Sequence, residues 1–276
     1  MKNIQRSLSI DELINELCRK GCSHKQFYHY TTWNSIVAIM REQSFLLTRG
    51  NAMIINDQHE AIMKGSYHEW NKTFIGSFSF GSSENMAMWG LYGLPWEDAV
   101  RIAIPQSAML RWIESIKQVD LWENNRVTES IRHFDVTLAD IGYVDGIADT
   151  PVLKVKYGRD NNAILYDNET NAVDRDPRLT GYIKNIAWCY ENEVRLKIRL
   201  PHEMWVEKIR VSMPKETVDA ITLTTGPCFR WKSDSLYDQL DKENRISDSG
   251  FSNMVRYRPL CSLCQHRHFQ RIEKHE

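Results

Sequence analysis

The sequence predicts an α+β fold built on a mixed, largely antiparallel sheet with flanking helices. Short strand-like runs recur along the whole chain, while helix-periodic stretches cluster in its first half. No Gly-rich phosphate loop of the dinucleotide or Walker type is present, which disfavours a doubly wound parallel sheet. The 276 residues suit one large domain, with a core over about 25–225, an N-terminal helix before it and an extension over 226–276.

Ser9-Ile10-Asp11-Glu12 is a capping box, and Leu13, Ile14 and Leu17 give a short helix that stops near Gly21. Phe27 to Thr31 is dense in strand formers. Thr32 caps a second helix whose apolar positions are Trp33, Ile36, Val37 and Met40. Phe45 to Thr48 reads as a strand, and Asp57 with Glu60 caps a helix reaching about Trp70. Phe74 to Phe80 alternates in period two, so Ser77 and Ser79 share a face. Glu84 to Tyr92 is helical. Val100 to Ile104 is a strand ended by Pro105, and Gln106 to Trp122 is a longer helix. Ile141–Val144 and Val152–Tyr157 are strands, and the polar stretch from Gly158 to Thr180 is a loop suited to a lid. Tyr182 to Trp188 forms a helical turn before a strand carrying two glutamates. Ile209–Met213 and Ala220–Leu223 close the strand set; after Gly226 the periodicity is weak.

Hydrophobic content of 42% is enough for a packed core. A formal net charge of −1 excludes bulk attraction to nucleic acid, so such binding needs a local basic patch. Neither a signal-peptide core nor an apolar run of membrane-spanning length is seen. Six scattered cysteines in a mid-sized chain suggest reduced thiols and a cytoplasmic protein.

The chemistry concentrates in Trp188-Cys189-Tyr190-Glu191-Asn192-Glu193-Val194-Arg195. In an extended chain Glu191 and Glu193 project to one side, and Tyr190 and Val194 to the other. The plain interpretation is an edge strand with a solvated acidic face, paired to Arg195 or Lys197. The functional one is a carboxylate pair that holds a sugar hydroxyl and steadies a developing cation. His29 is either a packing residue or a donor to a ribose diol, and Tyr30 faces away from it. Ser77 and Ser79 are packing residues or cofactor ligands. Trp89 and Tyr92 are core residues or a platform for a heteroaromatic ring, with Tyr92 the better candidate. Cys261, Cys264, His266 and His268 offer four zinc ligands with a two-residue gap between the thiols, yet they lie closer together than the usual two-pair site; the sequence leaves zinc open there, and no metal is assigned to the site residues.

Taken in order, Tyr28-His29-Tyr30-Thr31, Asn56-Asp57 with Glu60, Phe78-Ser79, Met88-Trp89 with Tyr92, Lys184, and Trp188 through Arg195 resemble the layout of an uncharacterised bacterial family. The match runs over roughly residues 27–200. That layout in turn resembles the ADP-ribosyltransferase superfamily. The resemblance implies a split β-sheet that binds NAD as substrate without a Rossmann loop. His29, with Tyr30 and Thr31 beside it, would touch the adenosine-side ribose; Ser79, Trp89 or Tyr92 would meet the nicotinamide half. Glu193 would hold the 2′-hydroxyl of the nicotinamide ribose, and Glu191 would orient or deprotonate the acceptor. The implied protein is a bacterial toxin, toxin–antitoxin or phage-defence effector that modifies nucleic acid or protein, with a cognate antitoxin as a partner and no membrane.

Arg230, Trp231 and Lys232, then Arg256, Tyr257 and Arg258, interleave bases with aromatics as a nucleic-acid contact would. Two rivals stand beside the transferase. One is a nucleotide-binding module without chemistry. The other is a metal-dependent nuclease using Asp57, Glu60 and the glutamate pair.

Overall fold

A computed structural model describes residues 7–50, 67–81, 83–144, 152–156, 164–167, 177–230 and 232–252. In chain order the first elements are β1 (Ser7–Leu8), α1 (Ile10–Gly21), β2 (Gln26–Thr32), α2 (Trp33–Glu42), β3 (Ser44–Arg49), α3 (Tyr67–Lys72) and β4 (Thr73–Ser79). They are followed by α4 (Met86–Tyr92), β5 (Ala99–Pro105), α5 (Gln106–Ser115), β6 (Val119–Glu123), β7 (Arg126–Ile131), β8 (Asp135–Asp140) and β9 (Gly142–Val144). Then come β10 (Val152–Lys156), β11 (Ile164–Asp167), β12 (Ile183–Asn185), β13 (Glu193–Arg199), β14 (Lys208–Ser212), α6 (Lys215–Asp219), β15 (Thr222–Thr225), α7 (Ser235–Lys242) and β16 (Ile246–Asp248). The architecture is α+β, and the chain divides into two compact units.

The first unit comprises residues 1–25, 45–80 and 110–213. Its larger sheet runs β8-β13-β4-β3-β14-β6-β7. The β13–β4, β13–β8, β3–β4, β14–β6 and β6–β7 pairs are all antiparallel. A smaller sheet runs β1-β11-β10-β9-β12 and is mixed, with its outermost pairs parallel. Strand β13 is central, not an edge. Val194, Leu196 and Ile198 on one side are completely buried. They share their sheet with Phe78 and Phe74, and Phe78 packs with Phe45 and Trp112. Gly76 leaves room for that packing, because a Cβ there would lie 3.3 Å from the Phe45 ring. The opposite side of β13 carries Glu193, Arg195 and Lys197, and these are buried too. Alternation that ordinarily signals a solvated face here signals a buried charged one.

Helix α1 starts at the expected capping box: Ser9 N donates to Glu12 Oε2 at 2.9 Å, and Glu12 N donates to Ser9 Oγ at 3.3 Å. Its fully buried Leu13 and Leu17 pack with Ala139, Leu179, Tyr182 and Ile183. Gly21 permits this approach, since a Cβ would sit 2.7 Å from Ala139 Cα.

The second unit comprises residues 26–44, 81–109 and 214–276. Its sheet runs β16-β15-β5-β2, antiparallel except for the β15–β16 pair. Thr32 caps α2 as expected. The helix buries Trp33, Ile36 and Ile39, and leaves Val37 and Met40 half-buried. Trp33 Nε1 donates to Asp234 Oδ2 at 2.8 Å, and the ring meets Phe229 and Tyr237.

Five expectations are corrected. Within the loop expected over 158–180, Ile164–Asp167 is strand β11, antiparallel to β10. The helix expected over 106–122 ends at Ser115, and Val119–Glu123 pairs as strand β6 with β14. Residues 183–185 are a strand parallel to β9 rather than part of a helical turn. Trp188, Cys189, Tyr190 and Glu191 lie in a 3-10 turn, Ile186–Glu191, and not in a strand. The region after Gly226 holds a capped helix, α7, in which Asp234 Oδ1 accepts from Tyr237 N at 2.9 Å. Tyr237 and Leu240, three apart, were its signal. Asn56, Asp57, Glu60, Trp231, Arg256, Tyr257, Arg258, Cys261, Cys264, His266 and His268 lie outside the described residues.

Candidate functional site

A buried cluster of charged side chains in the first unit forms where the 3-10 turn hands over to β13. Asn192 makes that corner with φ 45°, a left-handed conformation that asparagine tolerates better than most residues. The corner ends one backbone geometry and begins another, so Glu191 and Glu193 do not converge by strand alternation. Lys184 brings them together. Its Nζ donates to Glu191 Oε2 at 2.6 Å and to Glu193 Oε2 at 3.3 Å. Lys184 reaches them from β12, with its Nζ 4.7 Å from the centre of the Trp188 ring.

Arg195 completes the group. It stands two residues after Glu193 on the same face of β13. Its Nε donates to Glu193 Oε1 at 2.7 Å, its Nη2 to Oε2 at 3.2 Å, and its Nη1 to Gly181 O at 3.3 Å. Glu193 N donates to the Tyr143 hydroxyl at 3.0 Å. Ser79 and Ser77 of β4 lie opposite Glu193 and Arg195 in register. None of Lys184, Glu191, Glu193 and Arg195 is more than 4% exposed, so water screens these charges little.

Burial alone would raise the Glu193 carboxyl. The nearby charges of Arg195 and Lys184, with hydrogen bonds from Arg195 and Ser77, outweigh it and hold the group at about 2. These surroundings favour Glu193 as an anion over a role as a proton donor. Burial pushes the Tyr143 hydroxyl well above its usual range, and the Glu193 charge adds to this. In formal charge, two cationic side chains, Lys184 and Arg195, stand against two carboxyls, Glu191 and Glu193. Glu193 Oε2 already accepts from Lys184 and Arg195, so an incoming hydroxyl aimed at that atom competes with these bonds. The Lys184 contact to Glu193, at 3.3 Å, is longer than its contact to Glu191, at 2.6 Å, so Lys184 keeps Glu191 when the longer one is lost.

The charged face continues to Lys197. Burial lowers its ammonium to about 7. Its Nζ donates to Thr180 O at 2.9 Å and lies 3.5 Å from the centre of the Tyr182 ring. The neighbouring Cys18 thiol is pushed up, first by burial.

The other sequence candidates divide between the units. Ser79 is buried and Ser77 is exposed on β4 of the first unit. His29, Tyr30, Thr31, Trp89 and Tyr92 belong to the second. His29 and Thr31 are half-buried on β2, opposite Ile102 and Val100. Tyr30 is buried; its hydroxyl accepts from Asn85 N at 3.1 Å, and its ring meets Trp89 edge-on. Trp89 is 1% exposed and donates from Nε1 to Glu84 Oε2 at 3.0 Å. Tyr30 and Trp89 therefore form a core cluster with Met88 and Ala99, rather than a ring face offered for stacking. Tyr92 packs at the margin of that cluster, half-buried.

Lys184 stood in the sequence layout without an assigned role, whereas Arg195 was already a candidate partner of the acidic pair. Arg195 was legible, because two positions along a strand return to one face; Lys184 was not, because β9–β12 pairing places it. Among the described residues no group of three or more His, Cys, Asp or Glu side chains is set to hold a metal ion. No described helix is long and apolar enough to cross a membrane. No protein-family model, curated protein or solved structure matches the chain.

Proposed function

We propose that this chain is an NAD-dependent ADP-ribosyltransferase in which Glu193 is the carboxylate that holds the nicotinamide ribose. The observation that carries the reading is the Glu193 carboxylate fixed at the start of β13 by Arg195, with Glu191 tied to it through Lys184. Breaking the nicotinamide–ribose bond builds positive charge on the sugar, and a preorganised anion lowers that barrier. A 2′-hydroxyl donating to Glu193 Oε2 takes the place of Lys184, which swings wholly to Glu191. The exchange unmasks negative charge beside the sugar as the bond breaks. Glu191 then orients the acceptor, a nucleic-acid or protein group. A role as a toxin or defence effector, restrained by an antitoxin, follows from the sequence resemblance alone.

One observation favours a second reading, a nucleotide-binding module without chemistry. Arg195 grips Glu193 with two nitrogens, which is how a structural ion pair is also built.

Nicotinamide release from NAD decides between them. Purified protein is incubated with NAD and whole-cell lysate, and nicotinamide is followed by chromatography. The transferase reading requires turnover that falls by several orders of magnitude in Glu193→Gln while far-UV circular dichroism stays native. Turnover preserved in Glu193→Gln refutes the assignment. NAD binding without any nicotinamide release supports the module.

A further inference from the structure

Arg101 sits in the middle of β5, in the run Val100-Arg101-Ile102-Ala103-Ile104. Every other residue of that run is apolar and buried. Arg101 is itself only 7% exposed. Among the described residues its Nε and Nη1 have no hydrogen-bond partner, and no ion pair compensates its charge. Its one side-chain hydrogen bond among the described residues is a long contact from Nη2 to Thr224 Oγ1, at 3.4 Å. Glu84, the carboxylate attached to the nearby Tyr30–Trp89 cluster, is taken up by Trp89 Nε1, Ser249 Oγ and Gly250 N.

A buried cation left like this is costly, since each unpaired donor forfeits its water without replacement. The surroundings nevertheless hold it in one orientation. Arg101 lies opposite Tyr30 on β2 and opposite Thr224 on β15. Its Cζ is 4.5 Å from the Tyr28 ring centre and 5.8 Å from that of Tyr30. Aromatic rings over a guanidinium engage its faces and leave its in-plane N–H groups for a ligand. The unmet donors lie on two edges of the fork. A group with several anionic oxygens satisfies both edges, whereas a lone carboxylate satisfies one.

We infer that Arg101 anchors a phosphate-binding site in the second unit, with the Thr224 hydroxyl beside it, and that the ligand's phosphate or diphosphate supplies the missing acceptors. The inference is independent of the transferase reading, because it uses no residue of the Glu193 group.

Inorganic diphosphate is the probe, titrated against full-length protein by calorimetry and thermal unfolding, with sodium chloride at matched ionic strength as control. Wild-type protein gains melting temperature with diphosphate concentration beyond the salt control. Arg101→Met loses this gain, and unliganded it melts no lower than wild type, because an unsatisfied buried charge has gone. Arg101→Lys binds diphosphate at least about tenfold more weakly, since a point charge cannot bridge two edges. Glu193→Gln retains the response, which separates this site from the proposed reaction centre. Absence of a specific response in wild type overturns the inference, as does an equal response in Arg101→Met. A destabilised Arg101→Met beside an unresponsive wild type assigns Arg101 to packing alone. If Arg101→Met does not fold, undiminished diphosphate affinity in Arg101→Lys refutes the proposal.

Discussion

Arg195 turns back along its own strand to grip Glu193 two residues earlier, with Nε 2.7 Å from one carboxylate oxygen and Nη2 3.2 Å from the other. Both residues are buried inside the first unit, so each is the other's principal substitute for water. Removing one partner strands a charge. Glu193→Gln is expected to cost about 3–5 kcal/mol in urea unfolding, the usual penalty for breaking a buried pair. Glu193→Gln combined with Arg195→Met should recover much of that loss, since the stranded cation is gone. A single mutant within about 0.5 kcal/mol of wild type would show that the pair carries no such weight.

Acid should expose the same arrangement. Glu193 titrates at about 2 in the folded protein, against an ordinary 4.5. A depressed acid stabilises above its unfolded value and loses that contribution as pH falls through the folded one. Unfolding free energy should therefore drop between about pH 4.5 and 2. The acid limb should be shallower in Glu193→Gln/Arg195→Met. Identical limbs in the two proteins contradict the assignment.

Lys197 acts in the opposite pH range. Its ammonium loses a proton near 7 when folded and near 10.5 when unfolded. Between these values the unfolded chain binds more protons, so stability rises with pH. Tyr182, held neutral up to about 12, opposes the trend once unfolded tyrosine ionises above its usual 10. The raised Cys18 and Cys22 thiols oppose it earlier, as unfolded thiols ionise near 9, so the clean window is about pH 7–8, where the urea midpoint should climb in wild type and flatten in Lys197→Met. A midpoint that falls across this window, or climbs equally in both, rules the mechanism out.

The docking of α1 is a matter of clearance. Gly21→Ala places a methyl 2.7 Å from Ala139 Cα, a backbone atom that cannot rotate aside. We expect a loss of about 1–3 kcal/mol, typical of overpacking. Ser9→Ala removes the capping box and should cost about 1 kcal/mol. Thermal melts of both variants check the order. A Gly21→Ala protein as stable as wild type would mean that the helix shifts freely on β8.

Elements with local signals were legible in the sequence. The α1 capping box, the Thr32 cap of α2 and the strands around His29 and Ile102 each depend on neighbours within a few residues. The errors arose where distant pairing overrode local pattern. Val119–Glu123 extends a helical periodicity on paper, yet β14 recruits it as a strand. Glu191 sits on a turn because Asn192 takes a left-handed corner that no periodicity announces.

The sequence by itself determined the α+β class, most element types and the identity of the charged residues along β13. It could not say whether that charged face meets water. Tertiary structure decided this, since β13 lies between β4 and β8 while Lys184, Gly181 and Tyr143 contribute contacts from elsewhere in the chain. Likewise, only the fold shows Arg101 buried with Nε and Nη1 unmet among the described residues. The physical reason is that burial and charge pairing depend on which segments meet in space, and nothing in an alternating pattern records its cover.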